Sequence, residues 1–115
     1  MNALGRHVLV ELYGCDIHTL NDPALVQAYM EEAAVKSCAT IVDSRFHQFC
    51  PQGVSGVVVI AESHFAIHTW PDHGCVSVDI FSCNKEFNPR SAIEYLKEKF
   101  YAADSSVKEM ERGFV

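Results

Sequence analysis

Between Gly56 and Phe81 the chain carries three closely spaced strand-like segments, and this crowding most narrows what it can fold into. Gly56 to Ala61 is continuously apolar, Phe65 to Trp70 follows almost at once, and Val76 to Phe81 follows a break at Pro71 to Gly74. Runs this short and rich in Val, Ile and Phe read as strands, and connections of a few residues join only antiparallel neighbours. The centre of the chain is therefore expected to be an antiparallel meander.

The flanking segments fit around it. Gly5 to Tyr13 sets Val8, Val10 and Leu12 against His7, Leu9 and Glu11, the period of a half-buried strand. Asp22-Pro23 reads as a helix N-cap with proline at the first helical position, and the helix is expected to reach about Lys36 with Val26, Met30 and Ala33 inward. Thr40 to Phe49 is a further strand, closed by Pro51-Gln52-Gly53 as a turn. Asn88-Pro89 repeats the cap signal before Ile93, Leu96 and Phe100 at helical spacing, and Ser106 to Glu111 reads as the last strand. The predicted fold is α+β, a two-layer sandwich in which an antiparallel sheet is covered on one face by two helices. At 115 residues it is a single domain spanning 1–115, without internal repeat or linker.

Charge and composition exclude several function classes. A net charge of −6 and scattered Lys and Arg do not suit a phosphate backbone, so no nucleic-acid partner is expected. No apolar run approaches roughly 18 residues, so no membrane span is expected. Met1 to Arg6 lacks the apolar segment of a signal peptide, which points to the cytoplasm. Cys15, Cys38, Cys50, Cys75 and Cys83 are an odd, scattered set that suits reduced thiols better than a disulfide frame. The six histidines show no accompanying carboxylate or cysteine cluster at ligand spacing, so no metal is expected.

The residues with chemistry to offer lie on the same strands. Glu62-Ser63-His64 precedes Phe65, and His68, Trp70 and Pro71 follow it. Taken singly these residues are ordinary: a serine after a glutamate is usually a turn residue, and His68 alternates with Ala66 and Trp70 as a hydrogen-bonded sheet histidine would. Cys83 alone would be a small buried thiol. Read together, Glu-Ser-His-Phe-Ala-Ile-His-Thr-Trp-Pro resembles the self-cleavage segment of the small prokaryotic S-adenosylmethionine decarboxylases. The resemblance begins at Leu4-Gly5-Arg6-His7, passes through Phe46-His47 and Gly53-Val54-Ser55-Gly56, includes Cys83 and reaches Glu111-Arg112-Gly113, nearly the whole chain.

That resemblance implies autocatalytic cleavage between Glu62 and Ser63, giving a β chain of residues 1–62 and an α chain of residues 63–115. Ser63 would become a pyruvoyl group, a covalent pyruvate cofactor that condenses with a substrate amine and draws in the electrons released as carbon dioxide departs. His68 matches the family's processing base, a role suited to an imidazole that titrates near neutrality. Ser55 matches a second processing residue, able to hydrogen-bond the oxyanion or ester. Cys83 matches the acid that returns a proton to the substrate carbon. The cleavage site would lie in the tight connection between two central strands.

For the substrate, the resemblance maps onto Phe49 and Trp70 the two aromatics that stack on the adenine ring of S-adenosylmethionine, an arrangement that also suits the sulfonium charge. A glutamate usually grips the ribose hydroxyls; here Asp72 stands in its place, one methylene shorter. Asn84 after Cys83, and His73 with Cys75, are further departures. Some relatives decarboxylate ornithine or arginine, and Asp72 facing an ammonium or guanidinium keeps that alternative open. A processing-dead regulatory homologue is the other alternative, against which Ser55, Ser63, His68 and Cys83 occurring together argue. One sheet face needs cover and members of the family form homodimers, so a homodimer with active sites near the subunit boundary is expected.

Overall fold

One antiparallel sheet organises residues 2–115, the part of the chain that the computed structural model describes. Strand β1 (Ala3–Tyr13) leads through a one-turn helix α1 (Ile17–Leu20) into the long helix α2 (Pro23–Lys36). Strands β2 (Ile41–Gln48), β3 (Val54–Ile60), β4 (Ser63–Trp70) and β5 (Cys75–Ser82) form the expected meander, and helix α3 (Pro89–Lys99) returns the chain to β6 (Asp104–Phe114). The order across the sheet is β2-β3-β4-β5-β1-β6. The α+β sandwich with two helices on one face is thus the observed fold.

Both helices start where the side chains dictate. Asp22 accepts the Ala24 and Leu25 N–H groups at 3.1 and 3.2 Å, and Asn88 accepts the Ser91 N–H at 3.3 Å. Each cap satisfies donors that a helix end leaves free, a contribution of about 1 kcal/mol. Val26, Met30, Ala33 and Ala34 of α2 and Ala92, Ile93 and Leu96 of α3 are buried against Val8, Val10, Val58, Phe65, Ile67, Val78 and Ile80 of the sheet. Phe100 lies at the C-cap of α3 instead of inside it, yet is fully buried.

Two elements differ from expectation. Helix α1, four residues long, has no periodicity to announce it; Thr19 Oγ1 donates to Asp16 Oδ2 at 2.7 Å and fixes its first turn. Strand β6 is longer than Ser106 to Glu111 because β1 offers a template along its whole length, from Ala3 opposite Phe114 to Tyr13 opposite Asp104. Strand pairing, not apolar content, extends it.

The sheet face away from the helices carries the alternate residues. Register aligns His47, Ser55, His68, Ser77, Glu11 and Ser106 in one lateral row across all six strands. Gly56 is explained by its partner across the strand pair: a Cβ there would stand 2.0 Å from the Phe46 ring. No helix among the described residues is long and apolar enough to cross a membrane.

Candidate active site

Ser63 is the first residue of β4, reached from β3 through Ala61 and Glu62 alone. Its φ is +155°, one of three positive values at non-glycine residues among those described. A residue with a Cβ held there costs on the order of 1–3 kcal/mol, and the surrounding hydrogen bonds keep it in place. The Glu62 side chain accepts the Thr40 N–H at 3.1 Å, while the Ala61 N–H donates to the Thr40 carbonyl at 2.8 Å. The turn is therefore tied to the start of β2.

On the other side, the Cys83 N–H donates to the Glu62 carbonyl oxygen at 3.0 Å. That oxygen belongs to the peptide bond joining Glu62 to Ser63. Cys83 Sγ lies 3.8 Å from Ser63 Oγ, and Cys83 is exposed, unlike the buried thiol that sequence alone suggests. Buried Ser82 shapes the backbone here by accepting the Asn84 N–H at 3.1 Å. A hydroxyl, a carbonyl held by an amide donor and a thiol thus share one corner at the end of the sheet.

The second group sits further along β4. Ser55 on β3 and His68 on β4 are directly opposite, with Ser55 Oγ 2.8 Å from His68 Nδ1. Ser77 on β5 flanks His68 and donates to Glu11 of β1, so a carboxylate closes the polar row. The Trp70 ring stands 6.2 Å from the His68 ring, and the Phe49 ring stacks edge-on to His47 at 4.7 Å. Both aromatics are about half exposed, at 45% for Trp70 and 48% for Phe49. Asp72 lies beyond Trp70 in the turn Pro71–His73, with its carboxylate 3.5 Å from His73 Nε2.

These two groups do not meet within one chain. Five residue steps of extended strand separate Ser63 from His68, about 16 Å at 3.3 Å per residue. Ser63 with Cys83 forms one half of the predicted constellation, and Ser55 with His68, Trp70 and Phe49 forms the other. The Cys83 backbone donor, Glu62's anchoring role and the Glu11–Ser77 pair were not read from the sequence; only the last had a signal, the alternation that puts both on one sheet face.

His7, His64 and Asp79 form the set of donor atoms, within 4.8 Å of one another, that could hold a cation among the described residues. His7 is already engaged on both nitrogens, by Arg112 at Nδ1 (3.0 Å) and by Asp79 at Nε2. Arginine only donates, so Nδ1 accepts and Nε2 carries the proton shared with Asp79. Asp79, His7 and the Arg112 guanidinium form a hydrogen-bonded chain, with the His64 ring edge-on to His7 at 6.2 Å.

Cys15 contrasts with the exposed thiols. Burial pushes its pKa up to about 11, and nearby Cys75 adds to the rise. At pH 8 only about one Cys15 in a thousand would be thiolate, so native protein treated with iodoacetamide is expected to label Cys15 at least ~100-fold more slowly than exposed Cys38 and Cys50. Peptide mapping after timed quenching checks this; equal rates would mean the Cys15 pocket opens freely.

Comparisons with known proteins match the chain over nearly its whole length. The profile of the family described as S-adenosylmethionine decarboxylase matches residues 6–113. The chain is 55% identical over 115 residues to the S-adenosylmethionine decarboxylase proenzyme of Moorella thermoacetica, covering 100% of this chain and 92% of that protein. It is 51% identical over 113 residues to the proenzyme of the same name from Acetivibrio thermocellus, covering 98% and 91%. The crystal structure of the adenosylmethionine decarboxylase from Aquifex aeolicus superposes with a TM-score of 0.91 at 33% identity, covering 100% of this chain and 95% of that one.

Proposed function

Because the chain belongs to the S-adenosylmethionine decarboxylase family, we propose that it cleaves itself between Glu62 and Ser63 and then decarboxylates S-adenosylmethionine. The observation that carries the reading is the Glu62 carbonyl, held by the Cys83 N–H at 3.0 Å and followed directly by a serine with strained φ. As Ser63 Oγ adds to that carbonyl carbon, the Cys83 amide receives the developing oxyanion. Collapse breaks the carbon–nitrogen bond, leaves Glu62 as an ester on Ser63 Oγ, and releases the backbone strain. A base then takes the Ser63 α-hydrogen and Glu62 departs as a carboxylate. The dehydroalanine left at the new N-terminus exchanges its nitrogen for a water oxygen, releases ammonia and becomes pyruvoyl. The products are the chains 1–62 and 63–115.

The pyruvoyl group supplies an electron sink conjugated to the substrate's α-amine. Around it, Cys83 returns a proton to the substrate carbon, as its position 3.8 Å from Ser63 Oγ allows. Phe49 and Trp70 stack on the adenine and attract the sulfonium charge. Asp72 accepts the ribose hydroxyls. The product, decarboxylated S-adenosylmethionine, is an aminopropyl donor for spermidine synthesis. Cys83→Ser is expected to retain cleavage, which uses the backbone N–H, and to lose about 100-fold or more in turnover. Turnover per cleaved chain measures this, and an unchanged value would remove the thiol from the proton-donor role.

His68 is the base for the α-hydrogen: its Nδ1 is hydrogen-bonded to Ser55 Oγ at 2.8 Å, and the tautomer with the proton on Nδ1 leaves Nε2 the free lone pair this role needs. It cannot serve Ser63 of its own chain across about 16 Å. The reading therefore includes a homodimer formed through the uncovered sheet face, in which Ser55 and His68 of one copy meet Ser63 and Cys83 of the other. A two-fold interface completes two such sites at once.

Denaturing mass spectrometry of freshly purified protein tests the cleavage; an uncut chain after long incubation would favour an unprocessed regulatory homologue. Carbon dioxide release from S-adenosylmethionine, ornithine and arginine in parallel tests the substrate. The two amino acids belong in that panel because Asp72 is shorter than the usual glutamate, and faster release from either would reassign the pocket.

A further inference from the structure

We propose that Asn21, outside every motif noted above, is a positioning residue that holds the aromatic slot of Phe49 and Trp70 open at the width the adenine requires. The proposal rests on the reading of those two side chains as the stacking pair. Neither has core packing to fix it, since both rings are about half exposed. Their separation is set by the two backbone segments that carry them: the loop of residues 49–53 and the end of β4.

Both segments are fastened to two adjacent residues, Leu20 and Asn21, at the junction of α1 and α2. Buried Thr69, next to Trp70, donates from Oγ1 to the Leu20 carbonyl at 2.7 Å and accepts the Val54 N–H at 2.9 Å. Asn21 Oδ1 accepts the Gly53 N–H at 2.9 Å and Gln48 Nε2 at 3.3 Å, while the Asn21 carbonyl accepts Gln48 Nε2 at 2.7 Å. The Gly53 carbonyl in turn accepts the Phe49 N–H at 2.8 Å and closes the loop. Gln48 and Gly53 bracket the segment that carries Phe49, so Asn21 holds both ends.

Gly53 has φ +107°, a conformation natural to glycine alone, and a glycine released from its hydrogen bond has many others to visit. The Asn21 side chain keeps the loop in one of them. All of its contacts at Gly53 and Gln48 use Asn21 as acceptor, and the Gly53 N–H, which can only donate, fixes the amide orientation. An aspartate would offer the same acceptors, an alanine only the main-chain carbonyl that holds Gln48. Leu20, Thr69 and Trp70 would stay in place without them, so only the Phe49 side of the slot would loosen.

The experiment is a kinetic cycle on the self-processed enzyme with S-adenosylmethionine. Asn21→Ala is expected to raise KM about tenfold, the loss of two hydrogen bonds that preorganise the slot. Cleavage at Ser63 and kcat should stay within about twofold, because Asn21 bonds only Gln48 and Gly53, while strand pairing and their own hydrogen bond hold Ser55 and His68 in place. Asn21→Asp should restore KM. In a Phe49→Ala background, where the ring to be positioned is gone, Asn21→Ala should raise KM no further. Should Phe49→Ala raise KM while Asn21→Ala leaves it within twofold, the positioning role is wrong and the stacking reading survives. Should Phe49→Ala itself leave KM unchanged, the stacking reading fails and this proposal with it. Additive effects in the double variant, or a parallel fall of cleavage and kcat in Asn21→Ala, would mark a general structural role and overturn the inference.

Discussion

Ser63→Ala protein is expected to run as one uncut chain of 115 residues and to release no carbon dioxide from S-adenosylmethionine above background. Alanine removes the only atom that can attack the Glu62 carbonyl from the following residue, and water is a poor substitute against an amide. The fold should survive, because the hydrogen bond seen for the Ser63 side chain is a long one, to Cys83 Sγ at 3.8 Å, while backbone pairs opposite Ile60 and Ser82 hold β4 in register. Intact-mass measurement and a thermal melt separate the two outcomes: a folded uncut chain supports the assignment, and two fragments of 1–62 and 63–115 from this variant would refute it. The loss should be complete, because the variant lacks the precursor of the electron sink along with the nucleophile. Exogenous pyruvate should not rescue it, since a free keto acid lacks the covalent placement beside Cys83 that makes the reaction effectively unimolecular.

What holds the Glu62 carbonyl could not be read from the sequence. Its hydrogen-bond donor is the main chain of residue 83, and a backbone amide leaves no trace in residue identity. The meander was legible because three strand-like segments with short breaks admit little else, and the helix starts were legible because Asp22-Pro23 and Asn88-Pro89 act through adjacent atoms. Helix α1 and the full length of β6 were not, because one depends on a single local hydroxyl contact and the other on a long partner strand. Asn21 stayed invisible for a similar reason: its partner Gly53 lies 32 positions away in the chain. Gly56 shows the reverse case, a motif glycine whose reason is the Phe46 ring lying across it.

Number spacing also misleads about proximity. Ser63 and His68 are five apart, which on a helix would be little more than one turn, but on a strand it is about 16 Å. They also differ in face: His68 belongs to the uncovered polar row with Ser77 and Glu11, whereas Ser63 and Cys83 stand at the strand ends, beside the Glu62 turn. The candidate residues could be named from the sequence, but the distance that one strand puts between Ser63 and His68 could not. On the proposed reading, that separation makes a second copy a chemical requirement instead of a packing convenience.

Mixing two dead chains should accordingly restore a live enzyme. Ser63→Ala lacks the nucleophile and His68→Ala lacks the base, and each expressed alone is expected to stay uncut. Co-expressed in equal amounts with random pairing, half of the dimers contain one chain of each kind. In such a dimer one site joins Ser63 and Cys83 of the His68→Ala chain to Ser55 and His68 of the Ser63→Ala chain, and is complete; the other site lacks both groups. About a quarter of all chains should therefore be cleaved, all of them His68→Ala chains, and decarboxylation should return to about a quarter of the wild-type rate per chain. The two variants differ in mass, so one denaturing spectrum identifies which chain was cut, and activity gives an independent count. If the site were assembled within a single chain, no mixture of these variants could contain a complete one, and both would remain whole. Cleavage of His68→Ala in the absence of its complement would instead remove His68 from the role of processing base while leaving the Ser63 assignment standing.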